Sequence, residues 1–237
     1  MKKVIIIGAT SGIGYEIAKQ LIQKGYQVGG CGRREDILLK MKNELSPNFI
    51  GQKLDIRETQ RLETGLNRLI DKLGGMDICI ISSGISESNP HLEWSVEENV
   101  FRTNILGFAA AAGFAVRYFL NQQYGHLAGI TSLTKYFPNR TSPAYNASKI
   151  FESNYLDSMR YRTHGKNLFV TEICPGFIDT PIVKKRKITL MAPVDKAAKQ
   201  SIKAIESKKK KVIITKRWKL LRWLIPFTPN WIFRRIT

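Results

Sequence analysis

Val4-Ile5-Ile6-Ile7-Gly8-Ala9-Thr10-Ser11-Gly12-Ile13-Gly14 opens the chain's first structural unit. Four consecutive branched apolar residues suit a strand buried on both faces. They run straight into a glycine-rich turn, and residues Gly12–Lys24 then follow a helical pattern that stops at Gly25. Each glycine has a reason to be there. Gly8 permits the tight turn, Gly12 removes a side chain where backbone must approach a pyrophosphate, and Gly14 lets the helix pack closely on the strand. The N-terminus of that helix offers free N–H groups and a partial positive charge to a phosphate.

The same alternation continues along the chain. Strands are expected at Val4–Ile7, Gln27–Cys31, Phe49–Leu54, Met76–Ser82, His126–Ser132, Leu168–Cys174 and Val212–Ile214. Helices are expected at Gly12–Lys24, Glu35–Leu45, Glu58–Leu73, Ala144–Thr163 and Val194–Glu206, with two more helical stretches over 96–120, divided near Asn104. Near-continuous apolar strands alternating with helices predict an α/β fold with a doubly wound, mostly parallel sheet of about seven strands and helices on both faces. Ligands of such a sheet sit beyond the carboxyl ends of its strands. Residues 1–215 read as one Rossmann-like domain containing a substrate loop at 181–192. Residues 216–237 read as a basic amphipathic extension.

With 237 residues, 43% of them hydrophobic, the chain can bury a large single core. Its net charge of +19 is concentrated: residues 184–237 carry 17 Lys/Arg against only Asp195 and Glu206. That asymmetry points to an anionic surface as a secondary partner. Cys31, Cys79 and Cys174 lie far apart in apolar runs, as reduced core residues of a cytoplasmic protein would. The apolar run after Met1-Lys2-Lys3 is too short for a signal peptide, and no run of about 18 apolar residues is present. His91, His126 and His164 are dispersed and form no metal set.

The residues that carry chemistry lie downstream. Tyr145-Asn146-Ala147-Ser148-Lys149 places a phenol and an amine four apart, on one helix face. Ser132 ends the fifth expected strand in Gly129-Ile130-Thr131-Ser132, and Asn104 lies earlier in Phe101-Arg102-Thr103-Asn104. The spacing Gly-x-x-x-Gly-x-Gly, flanked by Ala9-Thr10-Ser11, together with this Asn, Ser and Tyr-x-x-x-Lys series, resembles the short-chain dehydrogenase/reductase family. The resemblance covers about residues 3–215.

It implies a catalytic tetrad of Asn104, Ser132, Tyr145 and Lys149. Tyr145 would exchange a proton with a carbonyl or alcohol oxygen, and a nearby ammonium favours the phenolate it must form in oxidation. Lys149 would also hold the ribose hydroxyls of the cofactor. Ser132 would stabilise the substrate oxygen, and Asn104 would hold a water in a proton relay to Lys149. The chain departs from the family at Ile81-Ser82-Ser83-Gly84, where the family usually has Asn-Asn-Ala-Gly; Gly84 is kept and the asparagines are not. Pro175, Gly176, Ile178 and Thr180 match its turn after the sixth strand, Thr180 meeting the nicotinamide amide or capping a short helix. Asp55 and Ile56 match its adenine contact, with Asp55 as a helix cap the alternative reading.

The second strand ends in Gly32-Arg33-Arg34, where NAD-selective sites usually carry an acid. A guanidinium there binds a 2′-phosphate, which makes NADP(H) the expected cofactor and Arg33 the preferred ligand beside Arg34. Glu35 and Asp36 are potential partners for these arginines. The expected cofactor-binding set is therefore Gly8, Thr10, Ser11, Gly12, Ile13, Gly14, Arg33, Arg34, Asp55, Ile56, Ser83, Gly84, Tyr145, Lys149, Pro175, Gly176, Ile178 and Thr180.

The expected substrate is a small carbonyl or alcohol compound, with Tyr136, Phe137 and Phe177 as apolar walls. Family likeness implies a homodimer or homotetramer. In the extension, Lys216, Lys219 and Arg222 fall on one helical side and Trp218, Leu221, Leu224 and Ile225 on another. Such a segment suits an anionic membrane surface, a subunit contact or an active-site lid. Nucleic acid is disfavoured, because no recognition motif accompanies the charge.

Overall fold

The structure is a computed structural model that describes residues 1–137, 139–180, 191–215 and 218. Its elements run β1 (Lys3–Ile7), α1 (Gly12–Gln23), β2 (Gln27–Gly32), α2 (Glu35–Leu45), β3 (Phe49–Lys53), α3 (Thr59–Leu73) and β4 (Ile78–Ile81). Next come α4 (Trp94–Phe101), a π-helical segment Arg102–Gly107, α5 (Phe108–Gln122), β5 (Tyr124–Ile130) and a 3₁₀ turn Leu133–Tyr136. The chain continues through α6 (Pro143–Arg162), β6 (Asn167–Pro175), α7 (Val194–Glu206) and β7 (Lys211–Ile214). The seven strands among the described residues form one sheet in the order β3-β2-β1-β4-β5-β6-β7, and every neighbouring pair is parallel. This is the expected doubly wound α/β architecture.

Period-two alternation divides the strand residues between two cores. Ile5, Ile7, Cys79, Ile81 and Leu127 enter one, against Leu66 and Leu69 of α3, Phe108 and Phe119 of α5 and Leu156 of α6. Val4, Ile6, Ile78, Ile80 and Ile130 enter the other, against Ile17 and Leu21 of α1, Met41 of α2 and Ile202 of α7. Strands buried on both faces have no polar side to show, which is why β1 and β4 read as unbroken apolar runs. Each fully buried Ile is worth about 1.5–3 kcal/mol. The three cysteines are buried and form no disulfide.

From β1 the sheet grows outward through β2 and β3, and the chain then crosses back to place β4 on the other side of β1. That reversal opens a crevice above the carboxyl ends of β1 and β4. Backbone bonds knit its floor: Gly8 N and Ala9 N both donate to Cys31 O, at 2.9 and 3.0 Å, and Ser82 N and Ser83 N both donate to Ile7 O, at 2.8 and 2.9 Å.

Three expectations are corrected. The fourth strand is shorter than Met76–Ser82, because Ser82 and Ser83 turn back onto β1. The fifth ends at Ile130, so Ser132 is not a strand residue but caps the 3₁₀ turn, its Oγ accepting from Thr134 N. The stretch near Asn104 is not divided: residues Trp94–Gln122 form a continuous helix of 29 residues with a wider turn at Arg102–Gly107. Buried contacts hold it together where the sequence suggests a break. A Cβ at Gly107 would lie 2.6 Å from Ile56 O, and Asn104 is wholly buried. This helix holds an 18-residue window of mean hydropathy 1.3, long and apolar enough by composition to cross a membrane, yet Phe108, Ala111, Ala115 and Phe119 are buried in the first core.

Candidate active site

One cavity of about 390 Å³ sits at the carboxyl end of the sheet. Its walls include Gly8, Thr10, Ser11, Gly12 and Ile13 from the first turn, Arg33 and Arg34 from the end of β2, and Asp55 and Ile56 after β3. Ser83 and Gly84 follow from the end of β4, and Ser132, Tyr145 and Lys149 from the far side. Pro175, Gly176, Ile178 and Thr180 complete it. The expected substrate walls Tyr136, Phe137 and Phe177 do not line it, and of the expected catalytic and cofactor-binding residues only Gly14 and Asn104 stand apart.

Both exceptions have a structural cause. A Cβ on Gly14 would lie 2.3 Å from Gly8 O, so this glycine sets how closely α1 approaches the turn and does not itself face the cavity. Asn104 is engaged on every side: its Oδ1 accepts from Ile85 N at 2.9 Å, and its Nδ2 donates to Ile85 O at 2.9 Å and Ser148 Oγ at 3.0 Å. The Asn104 side chain thereby pins the segment after β4 to α6.

The geometry of the first turn fits a dinucleotide. Ser11 is the N-cap of α1 in extended conformation and makes no side-chain cap bond, so the first N–H groups of the helix are left for a ligand. Gly12 has φ +53°, and a Cβ there would stand 3.3 Å from Thr180 Cγ2, narrowing the passage between the turn and the β6 side. At the end of β2 the two arginines differ. Arg34 folds back, its Nη2 donating to Thr10 O at 2.8 Å and to Thr10 Oγ1 at 3.2 Å. Arg33 is exposed at the cavity wall. Glu35 pairs with Lys53 at 3.1 Å, not with either arginine.

Asp55 is not a helix cap, since Glu58 occupies that place before α3. Its carboxylate accepts from Arg57 N at 3.0 Å and from the Arg57 guanidinium at 2.6 Å. Partial burial pushes the Asp55 carboxyl up, but the Arg57 bonds outweigh it and hold the group below its usual range. Arg57 also reaches Asn99 Oδ1 at 3.1 Å, tying this corner to α4.

On the far side, α6 begins with Pro143 at its first turn and carries Tyr145 and Lys149 along one face. The Lys149 ammonium lies 5.5 Å from the centre of the Tyr145 ring. Ser132 Oγ accepts from Thr134 N at 3.2 Å, which leaves its hydroxyl hydrogen to donate elsewhere.

A buried charged cluster stands behind these three residues, and sequence reasoning missed it. Lys149 Nζ donates to Glu152 Oε1 and Oε2 at 2.8 and 2.9 Å, with both side chains buried. Lys135 of the 3₁₀ turn pairs with Glu172 of β6 and donates to Ser153 Oγ at 2.7 Å. Glu172 also accepts from Thr131 Oγ1 at 2.8 Å and lies 3.5 Å from Lys211 Nζ of β7. Burial pushes the Glu152 carboxyl up to about 7, against the pull of Lys149. Burial also acts to raise Glu172, but Lys135, Thr131 and Lys211 together hold it below its ordinary value. For Lys149 burial acts downward, and Glu152 overrides it to raise the ammonium's pKa. The one local hint was Glu172 inside the apolar run Leu168–Cys174, and it names neither its partner nor Glu152.

The substrate loop 181–192 lies outside the described residues except for Met191 and Ala192, as does the extension 216–237 except for Trp218. Trp218 packs edge-on to Phe177 at 5.2 Å between ring centres and covers Gly176.

Residues 2–190 match the family model described as short chain dehydrogenase. An uncharacterized oxidoreductase of Staphylococcus epidermidis is 29% identical over 185 residues, covering 77% of this chain and 80% of that protein. The NADP-dependent 3-hydroxy acid dehydrogenase YdfG of Escherichia coli strain K12 is 30% identical over 178 residues, covering 74% of this chain and 72% of that protein. The solved closed form of serine dehydrogenase complexed with NADP+ superposes with a TM-score of 0.81 at 21% identity, covering 90% of this chain and 94% of that one.

Proposed function

Since the chain belongs to the short-chain dehydrogenase/reductase family of oxidoreductases, we propose that it interconverts carbonyl and alcohol groups with NADP(H), acting as a reductase of ketones or aldehydes. The supporting observation is that Ser132, Tyr145 and Lys149 open onto the same cavity as the turn Gly8–Ile13. A cofactor held at the turn and a carbonyl held by the hydroxyls therefore share one space.

NADPH bound there would supply the hydride equivalent. The chain's own residues do the rest. The first N–H groups of α1 hold the pyrophosphate, and Arg33 holds the 2′-phosphate. Asp55, fixed by Arg57, stands at the adenine end. Ser132 donates its hydroxyl hydrogen to the substrate oxygen, and Tyr145 delivers a proton to that oxygen as negative charge develops. Lys149 places a fixed positive charge beside the phenol, which favours its loss of that proton. The NADP-dependent relative and the NADP+-complexed structure support NADP(H) over NAD(H). Family likeness also supports assembly as a homodimer or homotetramer.

The test is NADPH oxidation followed over a panel of aldehydes, ketosteroids, sugars and acyl ketones. At least one class should turn over, and Tyr145→Phe should lower kcat roughly a hundred- to ten-thousand-fold. NADPH affinity should change far less than kcat, because the turn and Arg33 carry most of the proposed cofactor contacts. A Tyr145→Phe protein that retains the parent rate removes the assignment.

A further inference from the structure

The geometry points to Glu152 as a positioning residue: it holds the Lys149 ammonium charged and turns its free donors toward the cavity. This rests on the reading of Lys149 as part of the reacting centre.

Lys149 and Glu152 stand three residues apart on α6, and their side chains are only 5% and 0% exposed. An ammonium has three donors and a carboxylate only accepts. Glu152 takes the donors on the buried side, with both oxygens within 2.9 Å of Nζ. The other side of Nζ faces the cavity, where a Cβ on Gly84 would stand 3.1 Å away. Without an anion behind it, a lysine this deeply buried sheds its proton readily, because desolvation penalises the charged form. The carboxylate reverses that tendency and keeps the ammonium cationic.

The other groups acting on the pair come from elements packed around it. Tyr145 lies on the same helix, Glu172 and Cys174 come from β6, and Lys135 comes from the 3₁₀ turn. The π-helical segment contributes the neutral Asn104, and neither α4 nor α5 supplies one of the principal charges. Glu172 is already engaged by Lys135 and Thr131. Glu152 is therefore the carboxylate that touches Lys149.

Lysine labelled with carbon-13 at Cε, with the Lys149 resonance assigned through Lys149→Met, reads the ammonium directly in the cofactor-free protein. The wild-type resonance should titrate above the ordinary 10.5. In Glu152→Gln it should move down by at least about one pH unit, because the opposite charge is gone and the burial remains. Glu152→Asp keeps a charge in the same place and should stay closer to wild type than to Gln. The alkaline limb of the kcat profile should move acidward with the Gln variant, and NADPH affinity at pH 9 should weaken several-fold.

A wild-type Lys149 that titrates below 9 overturns the inference without any variant having to fold. So do Gln and Asp variants with equal shifts, because the charge would then not be the cause. The resonance reports on Glu152 even if no carbonyl is turned over. A failed substrate panel with the expected titration therefore overturns the proposed function alone.

Discussion

Along the β1–β2 side of the cavity the chain makes room by leaving side chains out, whereas along the β5–β6 side it packs charged side chains into the interior. On the first side, α1 nearly touches the turn at Gly14, and backbone N–H groups are the main polar equipment. On the second, Lys135, Lys149, Glu152 and Glu172 are all enclosed, and each meets at least one opposite charge. The first design is steric and local, and it tolerates almost no added atom. The second is electrostatic and distributed, and it tolerates no missing partner. A buried pair gains little over an apolar pair of the same shape, but half of one is costly.

That contrast predicts its largest effect at Lys135. Lys135→Met leaves Glu172 enclosed with only Lys211, at 3.5 Å, as a charged neighbour. Removing one partner of a buried pair costs about 3–5 kcal/mol. For a chain of this size that lowers the melting temperature by roughly 6–20 °C. The double variant Lys135→Met/Glu172→Met should recover most of the loss, since no unpaired charge remains. Calorimetry on the three proteins decides it: a double variant as unstable as the single one would show that packing, not charge, governs this side.

Gly14→Ala probes the opposite wall. The added Cβ would have to clear Gly8 O, a backbone atom, and Ser82 Oγ at 2.9 Å. Overpacking of this kind costs about 1–3 kcal/mol, and its relief requires α1 to move away from the turn. The melting temperature should fall by roughly 2–12 °C, and NADPH affinity should fall with it because the helix N-terminus moves. Unchanged affinity in a destabilised protein would separate the packing role of Gly14 from the phosphate site.

The same contrast explains what could be read from the chain. The turn, the strands β1 and β4 and the Tyr145–Lys149 pair are written in spacings of a few residues, where period and steric need act locally. Val194–Glu206 was legible to its last residue because its apolar positions recur at helical spacing. Glu152 was not legible among its polar helical neighbours, and Glu172, though set in an apolar run, did not show which charge the fold would bring to it. Ser132 shows the intermediate case. Its position in sequence was clear, but the apolar run hid that β5 ends two residues earlier and that Ser132 caps the following turn. The wider turn at Asn104 depends on Ile85 and Ile56, contacts made by residues far from it in the chain.

The smallest expected effect separates the two arginines that close the glycine side. Arg34 is occupied with Thr10 and shapes the turn that any dinucleotide would use. Arg33 makes no such bond and stands exposed at the cavity wall, free to meet a 2′-phosphate. A charged hydrogen bond at a partly exposed site is worth about 1.5 kcal/mol, close to tenfold in affinity. Arg33→Ala should therefore raise the dissociation constant of NADPH about tenfold and leave that of NADH nearly unchanged. Arg34→Ala should weaken both cofactors by a similar, smaller factor, because it loosens the turn without removing a phosphate ligand. Fluorescence titration of both variants with both cofactors measures the four values. If Arg34→Ala alone discriminates between the cofactors, the 2′-phosphate belongs to Arg34, and its bonds to Thr10 must break on binding.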